Sequence, residues 1–263
     1  MIRAFILLGL ALALLSALAC GGEAEPTAKL ILAADLSQVP PGTDPDEVLG
    51  EAADILRQRA RNYGIAEPEV SIGGDTIIVG LKGIDEAGAL EFMTARGRLE
   101  FKREQITTDG LVVCRTLQGE EFGVQPQNVN PDPASRSLAR CLSLDKLGEP
   151  IWVDAEVDGG DGTAVRLTQE HVERGSWVVR DDDRALSLRF TSDGGALLQT
   201  ITSFLTGYHL GLFLDGELIA APRIQRAITD GTAVVSGFPA GKARIFAAVL
   251  NAPPLPLPLV QSP

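Results

Sequence analysis

The chain has no block of lysine and arginine. Its 263 residues hold 23 Lys and Arg against 35 Asp and Glu, a formal charge of −12. Nothing in it can neutralise a run of phosphates, which excludes nucleic acid as a partner. Histidine is scarce too: His171 and His209 stand without Cys or His at ligand spacing and read as packing or surface residues. No GxSxG, Walker or HExxH pattern is present. With no visible nucleophile, phosphate loop or metal pair, the chain reads as a non-enzyme that needs no cofactor. Asp154, Glu156 and Asp158 before Gly159 have the alternation that opens a calcium loop, but Val165 stands where that loop needs a bidentate Glu. Asp181, Asp182 and Asp183 read as a solvated turn, because adjacent side chains on an extended loop point different ways. Long apolar runs are absent except at the N-terminus.

What is there begins with export. Arg3 precedes sixteen uncharged residues, Ala4 to Ala19, short for a bilayer span and suited to the apolar core of a signal peptide. The run ends in Ser16-Ala17-Leu18-Ala19-Cys20 and resembles the lipobox of bacterial lipoproteins, with Ala17 where Leu is usual. The resemblance implies lipid attachment at Cys20, with 1–27 as signal peptide and polar tether. It places the chain, lipid-anchored, on the extracytoplasmic face of the bacterial cytoplasmic membrane. No other stretch approaches a membrane span.

The remainder is globular in composition, 45% apolar and 22% charged, and long enough for a large core. Ala28 to Asp35 reads as a strand. Asp44, Pro45 and Glu47 open a helix as a capping box, Leu49, Ala52, Ala53, Leu56, Ala60 and Tyr63 recur at helical spacing, and Gly64 supplies the left-handed stop. A hairpin turning at Gly73-Gly74-Asp75, a helix from Asp85 to Arg96 and a strand from Arg98 to Lys102 follow. The fold class is α+β: a ferredoxin-like βαββαβ base over 28–103 and a second α+β head module with a βαββ unit over 165–252. Between them, 104–164 is rich in turn residues and reads as an irregular connector. It holds Cys114 and Cys141. Export favours their oxidation, with two unpaired thiols as the alternative. A Pro-rich tail fills 253–263.

The head is organised around Tyr208 to Pro222. Two apolar runs meet at Asp215-Gly216, a loop that closes a type I′ hairpin. The expected register sets Leu214 opposite Glu217, Phe213 opposite Leu218 and Leu212 opposite Ile219. Upstream, Leu186, Leu188 and Phe190 alternate along a strand. Ser192 is placed to cap a helix carrying Leu197, Leu198, Ile201, Phe204 and Leu205 to its end at Gly207. Asp215 itself reads as a turn residue, for which Asn would serve equally. A last helix is expected from Pro239 to Asn251.

These residues carry a family resemblance. The runs RFTSDGGALLQTITSFLTG, LFLDGELIAAPRIQRAIT and SGFPAGKARIFAAVLNAPPLPLPL are similar to the end of the first periplasmic domain of SecD, a membrane subunit of the bacterial Sec export machinery. Asp215, Gly216, Glu217, Ala221 and Pro222 occupy the family's turn motif. Independently, ILRQRARNYGIAEPEVSIGGDTIIVGLKGI and GRLEFK resemble the start of that domain. They carry over Arg57, Arg59, Gly64, Glu67, Pro68, Gly83, Leu99 and Phe101. The Gly-Leu-Asp-Leu-Gln-Gly-Gly motif that opens the family's domain is missing. The resemblance implies binding of unfolded or translocating polypeptide in Sec-dependent export, alone or docked on Sec translocase subunits. It also implies packing of the last helix on the base. The chain is read as lacking the family's proton-coupled membrane region. A structural or small-ligand-binding envelope lipoprotein on the same fold is the alternative.

Overall fold

The computed structural model describes residues 27–130, 140–180, 183–236, 238 and 241–262. Cys20, most of the Asp181–Asp183 turn and the start expected for the last helix lie outside them. The first third of the chain forms β1 (Thr27–Ala34), α1 (Pro45–Tyr63), β2 (Glu69–Gly73), β3 (Thr76–Lys82), α2 (Glu86–Thr94) and β4 (Leu99–Glu104). Short strands follow: β5 (Val112–Arg115), β6 (Glu121–Val124), β7 (Val129–Asn130), β8 (Arg140–Leu142), β9 (Leu147–Pro150), β10 (Trp152–Asp154), β11 (Glu156–Asp158) and β12 (Ala164–Arg166). The last part holds β13 (Val172–Arg180), β14 (Asp183–Phe190), α3 (Ser192–Phe204), β15 (Leu210–Leu214), β16 (Glu217–Ala220), β17 (Thr232–Val235), α4 (Lys242–Leu250) and β18 (Leu259–Gln261). The fold is α+β, built on antiparallel sheets.

Helix α1 starts at Asp44, whose carboxylate accepts from the Asp46 N–H, and stops at Gly64 with φ 101°. Its apolar stripe of Leu49, Ala52, Leu56 and Ala60 is fully buried against the alternating inward residues of β1 and β3. That matches the two periodicities on which amphipathic packing rests. The element order of the base is the one expected, but the fourth strand of its sheet is not. The sheet runs β18-β1-β3-β2. Strand β4 pairs instead with β15 and β10, in a sheet ordered β10-β4-β15-β16. The Leu-Pro tail supplies the missing edge, with Leu255, Leu257 and Leu259 buried in the base core and Ala34 opposite Leu259. Both Leu99 and Phe101 of β4 find apolar neighbours in the head cluster, so burial favours the second sheet.

The connector is not irregular. Strands β6-β5-β9-β8-β7 form a five-stranded sheet, and β11 and β12 form a separate hairpin. Cys114 and Cys141 are bonded across it, their Cα atoms 6.2 Å apart and both side chains without exposure. Around them sits a small cluster of Val112, Val124 and Val129. Gly148 is required where β9 passes β5: a Cβ there would lie 2.6 Å from the Arg115 carbonyl oxygen. Strands of two to four residues are too short for an alternation to show.

In the head, α3 is capped by Thr191, whose hydroxyl accepts from the Gly194 N–H; Ser192 is the first helical residue. Helix α4 packs on α1 and β13. Asn62 donates to the Ala248 carbonyl and Gln58 to the Asn251 carbonyl, so this helix joins head and base.

Candidate functional site

The β15–β16 hairpin turns through Asp215 at φ 54° and Gly216 at φ 84°, both positive as a type I′ turn demands. Leu214 faces Glu217 and Phe213 faces Leu218, but Leu212 faces Ala220 and not Ile219, because a bulge interrupts β16. All of β15 is buried, whereas β16 is a half-exposed edge.

Both ends of β15 are tied down by charged side chains. At the turn, the Asp215 carboxylate accepts from the N–H groups of Gly97 (3.2 Å) and Arg98 (2.9 Å), and the Asp215 N–H donates to the Arg98 carbonyl at 2.9 Å. Beside it, the fully buried Arg59 donates to the carbonyls of Phe92, Ala95 and Arg96 at the end of α2. Burial pushes the Arg59 pKa down to about 10, against the opposing pull of the Asp215 charge. The guanidinium therefore stays charged at neutral pH. Asp215 is thus more than a turn former; it clips the hairpin to the start of β4. At the other end, Glu104 has no exposure and His209 is 3% exposed. The Glu104 carboxylate accepts from the His209 N–H at 2.9 Å and lies 3.0 Å from Nδ1 of the ring. The Tyr208 hydroxyl donates to the Gly110 carbonyl at 3.0 Å. His171 lies elsewhere, its Nδ1 accepting from the Thr168 N–H at 3.1 Å.

Between β15, the segment 222–228 and the β14–β17 pair opens an apolar cleft of about 160 Å³. Phe101, Phe190, Leu198 and Leu212 line it on the core side, and Ile224 and Ile228 on the loop side. Phe101 and Phe190 are in ring contact, with centroids 5.6 Å apart. The segment 222–228 is held by main-chain bonds. Leu210 N–H donates to the Pro222 carbonyl, Ile224 N–H to the Tyr208 carbonyl and Gly207 N–H to the Ile224 carbonyl. Strand β17 pairs with β14 on one side and has no strand partner on the other among the described residues. The arrangement suits an apolar side chain in the cleft and an extended backbone along the free strand edge, which is recognition by strand addition. The cleft wall is mostly hydrocarbon, with Arg223, Gln225 and Arg226 as the polar residues at its border.

Of the residues carried over from the resemblance, Phe101 and Pro222 line this cleft, and the others do not converge on it. Ala221 is buried beside it. Asp215, Gly216 and Glu217 lie at the opposite end of β15. Gly64, Glu67 and Pro68 form the exit of α1, where Glu67 is exposed. Cys114 and Cys141 brace the connector sheet. Arg166 lies 3.2 Å from both Asp154 and Glu156, which places these two acids in ion pairs. Sequence reasoning named Arg59 from the resemblance without giving it a role, and it missed the Glu104–His209 pair and the cleft segment. Its trace in the sequence is Arg223-Ile224-Gln225-Arg226-Ala227-Ile228, where apolar and basic residues share one loop.

Residues 159–257 match the family model described as the P1 head subdomain of SecDF. The chain is 28% identical to the protein translocase subunit SecDF of Thermus thermophilus over 216 residues, 80% of this chain and 27% of that protein. It is 26% identical to the protein translocase subunit SecD of Synechocystis over 222 residues, 78% of this chain and 46% of that one. A solved structure, titled as that of a membrane component SecDF that enhances protein export, superposes with TM-score 0.53 at 26% identity. That match covers 89% of this chain and 98% of the solved one. This chain therefore spans about a quarter to a half of the curated relatives. In family model, sequence and fold it is similar to the periplasmic domain of SecD and SecDF. Among the described residues no helix is long and apolar enough to cross a membrane.

Proposed function

We propose, from the likeness to the periplasmic domain of SecD and SecDF, that this chain serves protein export by holding unfolded or translocating polypeptide outside the cytoplasmic membrane. The observation that carries the reading is the apolar cleft beside the unpaired edge of β17, inside the matched head segment. Main-chain bonding along a strand edge is indifferent to sequence, which is what a carrier of many precursors needs. The cleft is smaller than the ~300–1,000 Å³ usual for small-molecule sites, which disfavours the metabolite-binding alternative. A photo-crosslinker at Ile228, compared with one at the remote Glu67, tests this in cells. Secretory precursors captured at Ile228 alone support it. Their absence at both positions rejects it.

The membrane association of SecD-type proteins is met here, in this reading, by a lipid on Cys20, with docking on Sec translocase subunits as the working arrangement. One acyl chain binds a bilayer only marginally, and the several chains of a lipoprotein anchor hold it stably. Cys20→Ser is expected to release the protein from the membrane fraction or leave it unprocessed. Unchanged fractionation and mass would defeat the lipid anchor without touching the cleft.

A further inference from the structure

The cleft is apolar, yet its border carries charge of one sign. Among the described residues, the charged ones that line it are Arg223 and Arg226, both exposed, on a chain whose formal charge is −12. Arg226 has no hydrogen-bond or ion-pair partner among the described residues. Arg223 spends only Nε, which donates to the Gly207 carbonyl at 2.9 Å, so its terminal amino groups are unused. Its backbone is pinned by the bridge between His209 and Arg223, which sets where the guanidinium starts. Asp230, the nearest acid along the loop, turns back to accept from the Thr232 N–H at 3.2 Å.

From this we infer that the cleft selects apolar segments flanked by acidic side chains, with Arg223 and Arg226 as specificity-determining residues. The inference rests on the reading that the cleft takes polypeptide. The ~160 Å³ cavity equals the share of about five waters at ~30 Å³ each, room for one large apolar side chain. A carboxylate just before or after that side chain meets a guanidinium fork, whose planar donors match a carboxylate in pairs. A lysine in the same place meets two like charges. Exposed pairs of this kind are each worth about a twofold to fivefold change in affinity, enough to bias a carrier without closing it to neutral segments.

The test is fluorescence anisotropy of the full chain with three labelled, unstructured peptides that share a Leu-Phe-Leu centre and differ only in flanking Glu, Gln or Lys. The expected order is Glu tightest and Lys weakest. The Glu-to-Gln gap of roughly fourfold to twenty-fivefold from two arginines should shrink in Arg226→Gln and collapse in about 0.5 M salt, where charges beyond a few ångströms are screened. Arg226→Glu should favour the Lys peptide over its wild-type affinity, and the thermal midpoint of each variant reports whether the fold is intact. Equal affinity for all three peptides overturns the charge preference and leaves the polypeptide reading standing. So does an equal loss for all three in Arg226→Gln. Binding of none of them overturns both. If a medium-chain fatty acid displaces the Glu peptide with higher affinity than any peptide, the arginines serve a lipid carboxylate and the inference is wrong.

Discussion

The base and the head are both α+β layers, and they end differently. In the base, the last strand of the chain returns to complete the sheet, and Leu255, Leu257 and Leu259 seal the layer between sheet and helices. In the head, β17 has a strand partner on one side only among the described residues, and an apolar cleft opens beside it. A sheet edge with unused N–H and C=O groups invites another chain. The base sheet also ends in one-sided strands, β18 and β2, among the described residues. The contrast therefore lies in the apolar layer, which the tail seals in the base and which opens as a cleft beside β17 in the head. Long-range pairing joins them: β4, the last strand of the base in sequence, lies in the second sheet against β15, and Asp215 clips the two residues just before it.

The strongest way to break this contrast is to unseal the base. Leu257 is completely buried, and Leu257→Ala should cost about 2–5 kcal/mol through lost burial and the cavity left behind. The denaturation midpoint measures it, and a loss under about 1 kcal/mol would show that the tail is an ornament. Removing the Cys114–Cys141 bond, which closes a separation of 27 residues, should cost about 3 kcal/mol. Hydrogen exchange should then show protection lost over 112–150 and kept in base and head. Loss everywhere would mean that the connector is part of one cooperative unit.

A weaker perturbation acts where the modules meet. Gly216→Val forces a β-branched residue to φ 84° and should cost about 1–3 kcal/mol, read as a lower thermal midpoint. Asp215→Asn is milder. It keeps the turn but retains only one carbonyl oxygen for two N–H donors, and removes the charge beside Arg59. About 1 kcal/mol of loss is expected. An unchanged midpoint would return Asp215 to the simple turn role that its Asp-Gly context suggests. Precursor cross-linking at Ile228 should survive both variants if the cleft, and not the turn, is the binding site.

Most individual elements were legible. The cap at Asp44, the stripe Leu49 to Ala60 and the Gly64 stop mark α1 because each is a local signal of the chain with itself. Asp-Gly likewise marks the hairpin, although the bulge at Ile219 was not visible, since which residue is skipped depends on the partner strand. The connector hid its sheet because strands of two to four residues carry only one or two alternation cycles. The cleft was less legible still. Pro222 lay in the motif, but Ile224, Arg226 and Ile228 become neighbours of Phe101 and Val235 only once β4, β14, β15 and β17 are assembled.

Outside the connector, the sequence by itself determined which segments are helix or strand, which of their faces are apolar and where the turns fall, since those follow from spacing and from the φ that each residue tolerates. Only the tertiary structure decided which strand lies beside which. Alternation says that one face of β4 must be buried, but not whether β1 or β15 will be its neighbour. That choice falls to the core that accepts Leu99 and Phe101, and it leaves the base edge for β18.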